Sequence, residues 1–518
     1  MEMRFGDFAV GVSSSLMTIR LSARFYQLAP WGVLGFFVLK AVVSGLFVVR
    51  PWDVPDEVGH FSYIKDLASG KGLPVLHETL LDKAVWDSFV ANAPGEPGSN
   101  WIAQHPPLYH LLMVPVYGVG SLVSSSFWGP FYAIRIVTAV LFGAGILFLM
   151  KVFNEVGLPQ TVSLGFGIMI SSIPNHTYLA GAVNHDALVF LLGSLVLYYW
   201  IRICKSPSDS DILKLGIALG LGGLVKYTFL VVFPPVLAMS LFVIWKRGPG
   251  FWKSSASLCV LSLFPIGLWI VRNLFTYGAM LPVDMTGFQS ERPLDMSLLQ
   301  FGRSFPVFSI IAQTYWGLLG WMGDGNLQVR WLQIYSVYQQ AYTVPIILIL
   351  TLNLFYAVRS GTESWRRFLY GADRTFLAII LLFVLNWLDE EYTLYWIMIV
   401  VGVPALTWSI SDYLFDRKQG KVDRLREIEI GALLVFCFFL TVHILRIYSF
   451  TVSSGALQGT FGRYYLPVSG FLMVGCFSYG LKRFPWSGQF ILGCGILYGC
   501  TEMYIWLHEA IPFFELYG

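Results

Sequence analysis

The chain has 518 residues, 56% of them hydrophobic and only 13% charged, with a mean hydropathy of +0.64. These values exclude a soluble globular protein and indicate a polytopic membrane protein. The net charge of +3 gives no reason to expect a nucleic-acid partner, and six cysteines without a CxxC spacing suggest neither a disulfide framework nor a thiolate metal site.

Residues 1–30 carry Arg4, Arg20 and Arg24 and lack a small-residue cleavage pattern, so the first apolar run, 31–50, is expected to stay as an anchor running outward. Residues 51–130 read as a large outer loop with short helices lying in the interface, because their one apolar stretch, LYHLLMVPVYGVGSLV, is interrupted by Pro115 and glycines. Crossings are then expected at 131–152, 161–179, 185–204, 212–226, 228–245 and 255–274. After a second, aromatic-rich outer loop, six more follow near 334–357, 375–388, 392–413, 430–449, 464–481 and 488–507. The expectation is an all-α polytopic membrane protein of about 13 transmembrane helices in three units: 1–280, which includes the first outer loop, then 281–332, then 333–518. Most Lys and Arg fall in the loops this topology puts in the cytoplasm.

The chemistry is expected at the mouth of the first helix. PWDVPDEVGHFSYIKDLASGKGLPVL, residues 51–76, places carboxylates close to hydrocarbon, where they carry a large free-energy penalty. A helix begun by Pro55 would set Asp56, His60 and Tyr63 on one face. The same outer face gathers Asp53, Glu57, His105, Asn184, Asp186, Lys226, Arg272 and Arg463 at helix ends. Each of these has an ordinary reading as a solvated or capping residue. Asp56 in particular reads either as a helix N-cap or as a carboxylate base. His60 reads as a partner of Asp56 one turn back or as a substrate contact. His105, Lys226 and Arg463 read as phosphate contacts or as interface anchors, and Asp186 as a tie between two helix ends.

PDEVGHFSYIKDLASGKGLP resembles the first outer loop of GT-C membrane glycosyltransferases, the superfamily of protein O-mannosyltransferases and the lipid A aminoarabinose transferase. Further landmarks follow in the family's order. QHPPLYHLL at 104–112 is similar to the HPPL segment, with His110 near the place where some relatives have Lys. PNHTYLAGAVNHDALVFLLGSLVLYYWIR at 174–202 resembles a helix pair in which an Asn or Arg precedes an outer Asp. GLGGLVKYTFL at 220–230 is similar to GLxxLTKxT, with Val225 where Thr is usual, and RNLFTYG and QGTFGRYYLP are looser landmarks.

The resemblance implies a GT-C fold and an inverting glycosyltransferase at the extracytoplasmic face of a membrane, taken to be a bacterial inner membrane. The donor would be a sugar on a polyprenyl phosphate; the acceptor would be a glycan, lipid or protein. It implies Asp56 as the catalytic carboxylate and Glu57 as the residue orienting the acceptor or Asp56. It favours Lys226 and Arg463 as phosphate contacts; His60, His105, Asn184, Asp186 and Arg272 complete the candidate substrate-binding set, with Asp186 also read as a structural tie. No cofactor is required, although Asp56 or Glu57 leaves room for a divalent metal. The competing reading is a secondary transporter or flippase of a lipid-linked sugar.

Overall fold

The computed structural model describes residues 23–90, 95–248, 250–283, 294–320, 332–333, 424–455, 457, 459–483 and 487–516. The regular elements among the described residues are helices apart from one antiparallel pair of two-residue strands, Leu318–Leu319 and Leu332–Gln333. Seven segments among them are long and apolar enough to cross a membrane: Arg24–Val48, Trp128–Glu155, Asp186–Lys205, Tyr227–Arg247, Phe251–Tyr277, Arg424–Ser454 and Ser487–Glu515. The expected crossings at 334–357, 375–388 and 392–413 lie outside the described residues.

Helix α1 (Ala23–Val43) passes through a π-helical turn, Ser44–Val48, into the first loop. That loop holds α2 (Glu57–Ala68), α3 (Lys83–Phe89), a 3-10 turn at Trp101–Gln104 and α4 (Leu108–Val123), in keeping with the short helices expected there. Next come α5 (Trp128–Glu155), α6 (Gln160–Ser171), α7 (Pro174–Ala180), α8 (Asp186–Lys205), α9 (Asp209–Gly223), α10 (Phe233–Arg247) and α11 (Phe251–Tyr277). Two short helices, α12 (Leu298–Ser304) and α13 (Val307–Trp316), precede α14 (Arg424–Ser454), α15 (Ser469–Arg483), α16 (Ser487–Ile505) and α17 (Ile511–Leu516).

Three expected crossings are broken. The run 161–179 divides into α6 and α7, because Pro174 cannot continue the first helix and instead starts the second at its first turn. The run 212–226 ends at Gly223; Lys226 is extended (φ −155°, ψ 136°), and a 3-10 turn, Tyr227–Val232, leads into α10. The run 464–481 opens as a 3-10 turn, Gly462–Tyr465, and becomes α15 only after Pro467. Each break frees backbone from a helix ladder near a cluster of polar side chains.

Among the described residues the main core is a contiguous apolar body in which α5 and α8 are central, with Phe142, Phe190, Leu149 and Trp200 almost wholly buried, and a small second cluster gathers Phe301, Val307 and Ile447. Ionic pairs lie both within the main core and at its end. Lys40 of α1 pairs with Glu502 of α16 and donates to the Ser171 carbonyl at 2.6 Å, while Thr177 Oγ1 donates to Glu502 at 2.7 Å. At one end of the helices Arg202 pairs with Asp211 (2.9 Å), Lys205 with Glu155 (2.8 Å) and Arg247 with Asp209 (3.0 Å). At the other end, the start of α2, the start of α8, the break after α9 and the turn before α15 carry the candidate site.

Candidate active site

Asp56 is the residue before α2 and has a left-handed backbone, φ 70° and ψ 0°. Asp tolerates this region better than most side chains, but it is still uncommon. The helix therefore starts two residues later than a helix begun by Pro55 would, and Asp56 makes no side-chain capping bond. Its carboxylate turns away from the helix: Oδ2 accepts from Arg463 Nη2 at 2.6 Å and Oδ1 accepts from Trp101 Nε1 at 3.0 Å. The capping reading is thereby corrected. His60 and Tyr63 do share a face as expected, both stacking on His110 with ring centroids 5.2 and 3.9 Å away, but Asp56 does not point along it.

Two glycines allow the partners of Asp56 to approach. A Cβ on Gly59 would lie 2.5 Å from Ile102 Cγ1, so glycine there lets the turn bearing Trp101 sit against α2. Asn100 clips the same turn by donating to the Gly59 carbonyl at 3.1 Å and accepting from Ile102 N at 3.0 Å. A Cβ on Gly462 would lie 2.4 Å from the Ile311 carbonyl oxygen and the Tyr315 nitrogen, so only glycine lets the turn bearing Arg463 press against α13.

The two acids of the Asp56–Glu57 pair have different fates. The Asp56 side chain is 23% exposed, whereas Glu57 has no exposure. Glu57 Oε1 accepts from Arg135 Nε (2.8 Å) and Val183 N (2.7 Å), and Oε2 from Arg135 Nη2 (2.7 Å) and Trp52 N (2.9 Å). With four donors on it, Glu57 has no oxygen turned to an acceptor, so the expected acceptor contact is replaced by a link that fixes the backbone on both sides of Asp56. Arg135 completes its donor set on the carbonyls of Gly45 (2.5 Å), Val49 (2.8 Å) and Arg50 (2.8 Å). Sequence reasoning missed Arg135, although a basic residue inside the apolar run of α5 was a signal for it.

A second pair lies beside the first. Lys226 Nζ donates to Asp186 Oδ1 at 2.6 Å, and Arg463 Nε is 3.8 Å from Asp186 Oδ2. Asn184 accepts from the backbone N–H of Asp186 at 2.8 Å and so orders the start of α8. His185 packs edge-on between His60 (4.4 Å) and His105 (4.8 Å), and His60 Nδ1 lies 3.0 Å from His110 Nε2. Lys226, extended at the break before the 3-10 turn, is buried.

The structure thus brings Asp56, His60, His105, Asn184, Asp186, Lys226 and Arg463 into one neighbourhood and sends Arg272 elsewhere. Arg272 Nη1 donates to Tyr277 Oη (3.0 Å) and Asn273 Oδ1 (3.2 Å), and Nη2 to the Pro74 carbonyl (3.2 Å). It ties the end of α11 to the loop after α2. Its expected substrate contact is corrected accordingly, since its donors face this loop rather than the Asp56 carboxylate.

Burial and neighbouring charge together set the ionisation of the site. Burial pushes Asp56 up, but Arg463, the Trp101 hydrogen bond and His105 outweigh it and hold the carboxyl below its ordinary value. Burial pushes His105 down to about 3, and the nearby Lys226 adds to the effect. Burial lifts Asp53 to about 7, opposed by Arg50 and reinforced by Glu57. Asp56 is therefore an ionised carboxylate at neutral pH, flanked by neutral imidazoles. Asp56 and Glu57 do not suit a shared metal, because the four oxygens already accept from a guanidinium, an indole or backbone N–H groups. Among the described residues, no group of three or more His, Cys, Asp or Glu is arranged to hold one.

The described residues define a polytopic helical membrane protein with one charge-lined site where helix ends meet. Residues 104–269 match the family described as dolichyl-phosphate-mannose-protein mannosyltransferase. The lipopolysaccharide core galacturonosyltransferase RgtA of Rhizobium johnstonii is 28% identical over 160 residues, a stretch that takes in 28% of this chain and 32% of that protein. These matches bear out the resemblance to GT-C membrane glycosyltransferases read from the motifs. Two solved structures are similar at lower identity. ArnT from Cupriavidus metallidurans bound to undecaprenyl phosphate is 15% identical, with a TM-score of 0.38, covering 92% of this chain and 78% of that one. The S. cerevisiae Pmt1-Pmt2 complex bound to the sugar donor is 16% identical, with a TM-score of 0.35, covering 52% of this chain and 37% of that one.

Proposed function

We propose that the protein is an inverting glycosyltransferase that moves a sugar from a polyprenyl-phosphate donor to the hydroxyl of a glycan, lipid or protein acceptor. The observation that carries this reading is the Asp56 carboxylate: ionised, partly exposed, not used as a cap, and joined through Arg463 to a second acid–base pair, Asp186 and Lys226.

In the reaction the acceptor oxygen attacks the anomeric carbon from the face opposite the phosphate. Its proton passes to Asp56, the bond from the anomeric carbon to the phosphate oxygen breaks, and the polyprenyl phosphate leaves with that electron pair. Charge is balanced within the site. As Asp56 takes the proton it loses its negative charge, so Arg463 is released from its partner just as the leaving phosphate gains charge. Lys226 stands beside it, held by Asp186. This is stabilisation by cations already in place, and no step passes through a metal. Glu57 and Arg135 act as positioning residues that fix the strained turn bearing Asp56.

The basic pairs Arg202–Asp211, Lys205–Glu155 and Arg247–Asp209 lie at the opposite helix ends, which the positive-inside rule puts in the cytoplasm. That supports an extracytoplasmic site, on the outer side of a bacterial inner membrane. A transporter would place its ionisable groups near the midplane on repeated halves, whereas the Asp56 and Asp186 pairs gather at helix ends.

The test is Asp56→Asn, purified and reconstituted with a polyprenyl-phosphate sugar. The variant is expected to fold and to give no transferred sugar. Turnover at the parent rate would reject Asp56 as the base.

A further inference from the structure

We infer that Arg446 receives the phosphate of the membrane-embedded donor at a lateral entrance beside Tyr464, an assignment that rests on the polyprenyl-phosphate reading above. Arg446 lies on α14, eight residues before its end at Ser454, which is about 12 Å along the helix. It is exposed, and its neighbour Leu445 is 47% exposed on the same apolar span. A guanidinium at such a position carries a large penalty unless it reaches headgroups or a partner.

Arg446 turns to aromatic rings. Its Cζ lies 5.1 Å from the Phe450 ring and 6.0 Å from the Tyr464 ring. The Tyr464 ring is shared: Lys226 Nζ is 4.8 Å from its centroid and Arg463 Cζ is 5.9 Å away. Three cations therefore surround one aromatic side chain at the edge of the site. Two of them are balanced, Lys226 by Asp186 and Arg463 by Asp56. Among the described residues no carboxylate lies within ion-pair distance of Arg446.

This arrangement has an electrostatic consequence. Asp56, Arg463, Asp186 and Lys226 sum to zero charge, so an arriving phosphodiester meets a neutral set and gains net attraction from Arg446. A guanidinium also presents a planar fork of N–H donors that fits two phosphate oxygens, which an ammonium does not. Because Arg446 sits on an exposed apolar helix face, the ligand that reaches it is a phosphate carried on a lipid within the bilayer. Arg446 is thus a positioning residue for the donor, with Tyr464 as the wall between it and the Arg463–Asp56 pair.

The experiment uses the full chain in lipid nanodiscs, with undecaprenyl phosphate as probe and undecaprenol and inorganic phosphate as controls. Binding is read by native mass spectrometry and by ligand-dependent thermal stabilisation. The parent is expected to bind undecaprenyl phosphate and neither control. Arg446→Gln is expected to weaken binding about tenfold or more, and Arg446→Lys to restore part of it. Equal binding by the parent and Arg446→Gln overturns the assignment while leaving the donor reading intact. No binding by the parent overturns the donor reading and the assignment with it. Inorganic phosphate bound as tightly as the lipid overturns the lateral route. Should Arg446→Gln fail to fold, Arg446→Lys decides: weaker binding supports the assignment and unchanged binding overturns it.

Discussion

The carboxylate of Asp56 and the guanidinium of Arg463 meet at 2.6 Å across 407 residues of sequence. The pair joins the first loop of the chain to the turn before α15, so the proposed base is assembled only when both halves of the fold are in place. Burial alone would raise the Asp56 pKa, and Arg463 is the strongest of the groups that oppose it. Replacing Arg463 by Gln should therefore move the acid limb of the kcat/KM profile upward by about 1 to 3 pH units, as expected when a carboxylate loses an adjacent arginine. A pH–rate series on the reconstituted variant measures this. A limb left in place would show that Asp56 is not the group titrating.

Glu57 and Arg135 form the second link under Asp56, and neither side chain is exposed. Arg135→Met would leave a buried carboxylate with two fewer donors and three carbonyls without their N–H partners. The expected loss is about 3–5 kcal/mol, the usual range for removing one member of a buried pair. Glu57→Gln keeps the shape and much of the hydrogen bonding and should lose less. Denaturant titration in mild detergent would compare the two; an Arg135→Met protein as stable as its parent would contradict the link.

The apolar runs and their ends were legible because a membrane span needs length and hydrophobicity, and both are properties of consecutive residues. The acids and bases now gathered around Asp56 stood out for the same reason: each interrupts such a run or sits at its mouth. What sequence could not show is which distant segment faces which. Trp101 as a partner of Asp56, Arg135 as the clamp on Glu57, and the Lys40–Glu502 pair are all contacts between remote parts of the chain. Local backbone was equally hidden. Pro55 suggested a helix that would include Asp56, and the left-handed conformation of that residue turned the carboxylate to another face. Arg272 shows the converse error, a base at the expected end of its helix whose donors are directed to the Pro74 loop.

Lys226 and Asp186 are both nearly buried, so their roles in stability and in transfer can be separated. Lys226→Met alone leaves the Asp186 charge without its nearest cation and should destabilise the protein by about 3–5 kcal/mol. Combining it with Asp186→Leu removes the stranded charge, so the double variant should be more stable than Lys226→Met alone. Transfer should stay low in both, because the cation proposed to face the leaving phosphate is absent in both. Recovery of transfer together with stability in the double variant would reduce Lys226 to a purely structural residue.

His60, His105 and His185 pack around the site as neutral imidazoles, each with its pKa lowered first by burial and then by nearby cations or other histidines, His105 to about 3. The unfolded chain binds a proton at each of them near pH 6.5, whereas the folded chain stays neutral well below that. Between these limits the unfolded state holds more protons, so stability rises with pH and falls on acidification from about pH 6.5 downward. Asp56 acts at lower pH: its folded pKa is depressed, so its contribution is present above the unfolded value near 3.9 and is lost as pH falls through the folded one. Acid lability should therefore begin in the histidine range, before carboxylates titrate. His105→Gln should lower the slope of unfolding free energy against pH between about 4 and 6 by close to one proton, measured by denaturant unfolding across a pH series. An unchanged slope would mean that His105 is protonated in the folded protein, contrary to its burial against His185 and Lys226.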